Sequence, residues 1–349
     1  MVVGTVLFVG AAVAAIAVGS VTVPPGEVVQ SLAFHLGGLV ADVADKLGVA
    51  IPRPAPPDSA VNDLIVWKLR VPRTLAAIVV GAALAIAGAA LQAMVRNPLA
   101  DPYVLGVSSG ASLGAVLVMS SASALWLRNL GLPTAAFIGA MIALLIVLLF
   151  AHRSGTFTGS RIVLAGVGVG QVAAAATSLV QLHSDPAEIR GMLFWMMGSV
   201  AGVDSLSVLV IPAVVSLGCV ALLMVQGRSL NAVSMGDDDA VALGVSVNAF
   251  RLQLIVVVAL LTGVSVSIAG GVGFVGLMIP HIARFAVGAD YRRLLPAAAL
   301  LGAAFLVAVD TVARSVDPPN EYPLTIFTAA VGGPFFLWLL KRSRAGGAV

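Results

Sequence analysis

An all-α protein that crosses a lipid bilayer many times is the fold class this sequence predicts. Three observations carry that expectation. Of the 349 residues, 60% are hydrophobic and only 10% are charged, against about 25% charged in a soluble domain. Apolar runs recur at lengths near 20 residues, which is what a helix needs to cross the hydrocarbon core. The breaks between runs hold the prolines, glycines, arginines and aspartates. Such a chain has too few polar side chains to cover its own surface. Its single cysteine, Cys219, excludes an internal disulfide and a cysteine metal cluster. The four histidines, at 35, 152, 183 and 281, form no i, i+4 pair of the metal-binding kind.

Ten spans follow in order within one domain, 1–349. The first, 2–23, lacks a basic leader and a cleavage site and reads as a retained span, not a signal peptide. An external linker, 24–73, separates it from the second, 74–95; within the linker, residues 26–48 fit a short amphipathic helix outside the bilayer, because charges crowd its second half. The stretch RNPLADPYVLGVSSGASLG, 96–114, then interrupts the oily pattern. Asn97-Pro98 and Asp101-Pro102 force extended or turn geometry ahead of each ring, so the helix stops and the chain reverses. The third span, 104–125, carries Gly106, Gly110 and Gly114 four apart, a bare face that allows close helix approach in lipid. The fourth, 133–151, is uniformly apolar, and the fifth, 161–182, repeats the small-residue device with Gly166 and Gly170. After the sixth, 206–226, a polar loop at 227–251 has apolar residues at helical spacing and reads as two short surface helices around Gly236. The seventh, 252–270, and eighth, 272–289, are parted only by Gly270 and Gly271, which implies a tight turn or a broken helix. The ninth and tenth are 294–315 and 324–340.

With ten spans both termini share one side. That side holds eleven of the 19 Lys and Arg residues, including Arg96, Arg161, Arg228, Arg251 and Arg284. The other side holds eight, five of them in the long linker, which weighs less in setting orientation. Both termini are therefore expected in the cytoplasm.

GGVGFVG at 270–276 contains the spacing of a dinucleotide fingerprint, but that fingerprint needs a strand before it and an acidic residue after it. Membrane-length apolar runs flank it instead, so tight packing explains the glycines. The chain also lacks G-x-x-x-x-G-K-[ST]. On the outer side, Lys68, Arg70, Arg73 and Arg314 suit either interfacial anchoring by long stems or a cationic rim that steers an acidic partner. Asp310 lies one helical turn before Arg314, close enough to pair with it.

The run RVPRTLAAIVVGAALAIAGAALQAMVRNPLADPYVLGVSSGASLGAV, 70–116, resembles the signature of the FecCD-type permeases. These are the membrane subunits of bacterial ABC importers for ferric siderophores, haem and vitamin B12. SRIVLAGVGVG (160–170), FWMMGSVAG (194–202), LNAVSMGDDDAVALGV (230–245), GFVGLMIPHIARFAVGADYRRLLP (273–296) and PPNEYPLTIFTAAVGGPFFLWLLKR (318–342) extend the resemblance in order. It implies a type II ABC importer permease fold with ten transmembrane helices per subunit, set in the bacterial plasma (inner) membrane. The partners it implies are a second permease copy or paralogue, two cytoplasmic ABC ATPase subunits and an external substrate-binding protein. ATP and Mg would sit on the ATPases. This chain would hold no cofactor or metal, carry no catalytic residue and bind no nucleic acid.

Roles are implied residue by residue. Arg70, Arg73 and Arg314 match outward arginines that dock the binding protein. Asn97 and Leu99 match a cytoplasmic gate, and Thr158, Gly159 and Ser160 a second constriction. The stretch 230–245 matches the coupling helices that seat in the ATPases, through Leu230, Asn231, Met235, Gly236, Asp237, Asp238, Ala240, Leu243 and Gly244. The fifth, eighth and tenth spans would line the path. Pro323-Leu324-Thr325 departs from the family's usual Pro-Val-Gly and puts a bulkier pair at the outer end of the tenth span.

The expected function is half of an ATP-driven import path for an iron chelate, first a ferric siderophore, with haem or vitamin B12 as alternatives. An ion-driven secondary transporter would need ionisable groups near the midplane, and most of these spans have none. An intramembrane enzyme would need paired carboxylates or a nucleophile with its base, which the spans also lack.

Overall fold

The structure is a computed structural model that describes residues 2–19, 21–120, 129–152 and 157–345. The end of the expected third span and the cations Arg128 and Arg153 lie outside the described residues. Each of the ten expected segments carries a helix. In chain order the helices are α1 (Val2–Ala17), α2 (Pro25–Lys46), α3 (Ala60–Val95), α4 (Val107–Met119), α5 (Leu132–Ala151), α6 (Gly159–Leu182) and α7 (Pro186–Met196). They continue as α8 (Leu206–Val225), α9 (Gly227–Met235), α10 (Asp237–Ala242), α11 (Val247–Ala269), α12 (Val275–Val287), α13 (Tyr291–Ala313) and α14 (Leu324–Ala345). Six of them, α3, α5, α6, α8, α11 and α13, are long and apolar enough to cross a bilayer, and α4, α12 and Leu324–Leu339 of α14 are shorter apolar helices.

Helix α3 is the centre of the molecule, packed on α13, α11 and α12. Its sequence explains that position: Ala76, Ala77, Ala83, Ala85, Ala87, Ala89 and Ala90 give it a thin profile, so neighbours approach on every side. Pro72 has no N–H to continue the ladder, and the turn before it is a π-helix, Ile65–Arg70, in which the Val71 N–H reaches back to the Val66 carbonyl. At the other end Arg96 closes the helix in a left-handed conformation, φ 55°. By contrast only 22% of the apolar window of α6 and of α8 is buried, against 78% for α3 and α11. Leu164, Val172, Leu182, Ile211 and Val225 on those two helices stand exposed.

The linker holds the helix expected there. Helix α2 docks on residues 58–67: the Ser31 hydroxyl donates to Asp63 Oδ1 at 2.6 Å, and the His35 ring stacks on Trp67 with centroids 4.3 Å apart. Helix α7 was not expected, since 11 residues containing Glu188 and Arg190 are too short and too charged for the spanning rule. The Gly270–Gly271 break is an irregular segment, 270–274, between α11 and α12, with Gly270 at φ 64° and Phe274 at φ 68°.

The glycine ladder of the third span is split, which corrects the expectation of one continuous face. Helix α4 begins only at Val107, because Pro102–Leu105 forms a 3-10 turn and Gly106 takes φ +72°, a conformation that favours glycine. A Cβ at Gly106 would lie 2.7 Å from the Gly166 carbonyl oxygen of α6, so Gly106 meets the other ladder, Gly166 and Gly170. Gly110 and Gly114 face the opposite neighbour, α5, at Gly139, Ala135 and Ala143. A Cβ at Gly110 would sit 2.5 Å from both the Gly139 carbonyl oxygen and the Ala143 Cβ. Gly110→Leu is therefore expected to separate α4 from α5 and to cost about 1–3 kcal/mol through overpacking. A fall in both detergent-solubilised thermal midpoint and cellular uptake at equal expression checks this; wild-type values for both would refute it.

Candidate coupling and gating site

Three of the cations expected on the outer side are turned inward. Arg70, Arg73 and Arg314 are 5%, 9% and 5% exposed. Arg73 bridges Asp310 at 2.8 Å and Glu321 at 2.7 Å, tying α3 to α13 and to the segment before α14. Arg314 donates to the Ala15 carbonyl at 2.5 Å, and Arg70 donates to Ile16 at 2.6 Å, to Ala17 at 2.8 Å and to Val21. The last carbonyls of a helix have no partner of their own, and these guanidiniums supply one for α1. The Asp310–Arg314 approach foreseen from their spacing is present at 3.6 Å, yet the closer partner of Asp310 is Arg73. The three residues matched to binding-protein docking thus hold α1, α3 and α13 together rather than standing free on the surface.

A cavity of about 400 Å³ lies between α4, α6 and the 270–273 segment. Ser108, Ser109, Ser112, Thr177, Ser178, Gln181 and Thr325 supply most of its polar lining. Tyr103 shapes its floor: its hydroxyl donates to the Val272 carbonyl at 3.0 Å and accepts from the Val272 N–H at 2.8 Å. The bulkier Leu324-Thr325 pair also has a role. Leu324 is buried and its N–H donates to the Gly198 carbonyl at 2.8 Å, while the Thr325 hydroxyl donates to the Gly271 carbonyl at 2.8 Å. The pair stitches the start of α14 to Gly198 after α7 and to the 270–273 segment.

At the other end of α3 lie the two segments that the resemblance matched to a gate. Asn97 Oδ1 accepts from the Leu99 N–H at 2.9 Å and holds the turn, with Leu99 half exposed. Thr158 precedes α6 in extended backbone, and a Cβ at Gly159 would lie 3.5 Å from Val95 Cα, so the start of α6 rests against the end of α3. Thr158 and Ser160 are exposed beside it.

The loop matched to coupling is the expected pair of short helices, α9 and α10, broken at Gly236. Leu230, Ala232, Val233 and Ala240 are buried and fix the pair to the body. Met235, Val241 and Leu243 are 68%, 62% and 66% exposed, and Asp238, Asp239 and Gly244 are exposed beside them. Asn231 faces the body: its Nδ2 donates to Asp290 Oδ1 at 2.7 Å and its Oδ1 accepts from the Tyr291 N–H at 2.9 Å. That hydrogen bond, with one from the Arg292 N–H, holds the Asp290 carboxyl below the usual carboxylate range.

Several connecting residues were not legible from sequence. Arg96 and Arg251 entered only as topology markers, yet both reach Asp237. Gln92 and Arg284 join α3 to α12 through a 2.7 Å bond. The signal available was a lone polar group at the edge of an apolar run; its partner lay far away in sequence.

An all-helical, multi-span membrane protein with a surface helix pair beside two converging loops is the architecture of a transport permease. The chain matches the FecCD transport family over residues 3–342 and belongs to it, as a permease subunit of an ABC transporter. It is 39% identical over 292 residues to the hemin transport system permease protein HmuU of Yersinia pestis, covering 82% of this chain and 87% of that one. It is 41% identical over 291 residues to the vitamin B12 import system permease protein BtuC of Yersinia pseudotuberculosis, covering 81% and 84%. A solved inward-facing ABC transporter of the metal-chelate type superposes with a TM-score of 0.74 at 32% identity, over 88% of this chain and 98% of that chain.

Proposed function

We propose that this chain forms half of a transmembrane path that imports a metal chelate, driven by ATPases docked on α9 and α10. The observation that carries the reading is the helix pair itself, which sets Met235, Val241 and Leu243 in an exposed apolar row on an otherwise polar surface stretch. Such a row beside charged neighbours suits a soluble partner's groove. In this reading the ten helical segments are ten spans, both termini are cytoplasmic and the membrane is the bacterial inner one. The uncovered faces of α6 and α8 meet lipid or a second permease copy or paralogue. Residues 97–99 and 158–160 close the path on the cytoplasmic side, while α6, α12 and α14 line it. Nucleotide acts by favouring one arrangement of the docked pair over another.

A binding protein docks on the outer end, where Arg70, Arg73 and Arg314 act by holding the helix ends in register. The cargo is a ferric siderophore in the first instance. The likeness to permeases named for hemin and vitamin B12 supports those two as alternatives. Met235→Asp and Leu243→Asp, made in the assembled transporter, test the docking. Both side chains are exposed, so the thermal midpoint of the permease should hold. ATPase co-purification should fall by about tenfold or more, the loss of roughly 1.4 kcal/mol of contact. Unchanged co-purification in both variants would remove the docking assignment. Uptake of ferrichrome, haemin or cyanocobalamin by proteoliposomes carrying the full assembly separates the cargos.

A further inference from the structure

We infer that Asp237 is the positioning residue that yokes both cytoplasmic gate segments to the coupling helices. The inference rests on the gate and docking assignments proposed above and adds the connection between them. Of the three consecutive aspartates 237–239, the latter two are exposed, whereas Asp237 is half buried and turned toward the body. Its Oδ1 accepts from Arg251 Nη2 at 2.7 Å and lies 3.5 Å from Arg96 Nη2.

Each arginine leads directly to one gate. Arg96 is the residue before Asn97, and its left-handed backbone ends α3 there. Its guanidinium passes beside Gly236, where a Cβ would lie 3.7 Å from Nη1. Arg251 is 5% exposed at the start of α11, and its Nη1 donates to the Phe157 carbonyl at 3.0 Å. Phe157 is the residue before Thr158, and its own N–H is held by Asn248 Oδ1 at 3.5 Å. One carboxylate oxygen is therefore linked to the residues that immediately precede both gate segments: by a charge-assisted hydrogen bond, the stronger kind, to Arg251 and through it to Phe157, and by a longer ion pair to Arg96. A shift of α10 moves that oxygen, and the segments at 97–99 and 158–160 move with it instead of independently. The buried face of α9 is held separately, by Asn231 on Asp290 and Tyr291, so α9 anchors the pair and α10 transmits.

The test uses the full transporter in proteoliposomes, with its ATPases and binding protein, in a Cys219→Ala background carrying Leu99→Cys as a reporter thiol. Two quantities are read: the ATP hydrolysis rate, and the labelling rate of the thiol by an impermeant maleimide with and without ATP plus vanadate. The reference should change its labelling rate by about fivefold or more between nucleotide states, the lower end of ordinary allosteric coupling. Arg96→Gln should reduce that change below about twofold while hydrolysis stays within about twofold; Asp237→Asn should reduce the change to the same extent, and Asp237→Glu should restore it. An undiminished nucleotide response in both variants overturns the inference. So does a parallel loss of hydrolysis and response in Asp237→Asn with a normal Arg96→Gln, since Asp237 would then be a contact to the motor. If Asp237→Asn does not assemble, Arg96→Gln decides by the same criterion. A reference without any nucleotide response overturns the gate assignment itself, and the inference falls with it.

Discussion

Arg73→Met should be among the most destabilising single substitutions in the chain. Arg73 lies between Asp310, which is 1% exposed, and Glu321, with contacts of 2.8 and 2.7 Å. Its removal leaves the Asp310 carboxylate buried with only Arg314 near, at 3.6 Å. Breaking a buried ion pair from one side costs about 3–5 kcal/mol, because the abandoned charge is cut off from water and loses its closest partner. The thermal midpoint in detergent should fall on the order of 5–10 °C. The double variant Arg73→Met/Asp310→Leu should recover much of the loss, since replacing both charges removes the stranded one. A single variant as stable as the wild type, or a double variant worse than the single, would show that the pair does not hold α3 to α13.

Gly88→Val should prevent α3 and α12 from meeting. A Cβ at Gly88 would lie 1.8 Å from the carbonyl oxygen of Gly276, and one at Gly276 would lie 2.8 Å from the Pro102 ring and 3.0 Å from the Leu84 carbonyl oxygen. The atoms in the way are backbone, so no side-chain rotation relieves the clash. Overpacking of this kind costs about 1–3 kcal/mol and sometimes more, and it would displace the 102–105 turn that Pro102 begins. Loss of most folded protein on size-exclusion chromatography is the expected result, with Gly88→Ala milder but still below wild type. Normal elution and midpoint for Gly88→Val would contradict the packing described here.

Long apolar runs with punctuated ends made the helices legible in the sequence, and the polar stretch around Gly236 made the surface pair legible as well. Partners were harder to see. Gly106, Gly110 and Gly114 share a spacing, but Gly106 sits before the helix starts and turns toward a different neighbour. Spacing reports a face only where the helix is continuous. The outer arginines illustrate a second limit: residue type and position at a span's edge suit a free cation and a buried one equally well, and the carbonyls of residues 15–17 that capture Arg70 and Arg314 are distant in sequence. Asp237 was singled out with its whole loop, while the arginines that give it a specific role looked like ordinary topology signals.

If cargo follows the proposed path, the cavity between α4, α6 and the 270–273 segment bears on how it leaves. Among its described lining residues, the polar groups are hydroxyls, an amide and backbone, with no formal charge. A hydroxyl grips a visitor about as well as water does, so a molecule handed down from outside exchanges one modest set of hydrogen bonds for another. Tight retention would require a counter-charge or a desolvated clamp, and this chamber offers neither, which suits a waypoint better than a berth.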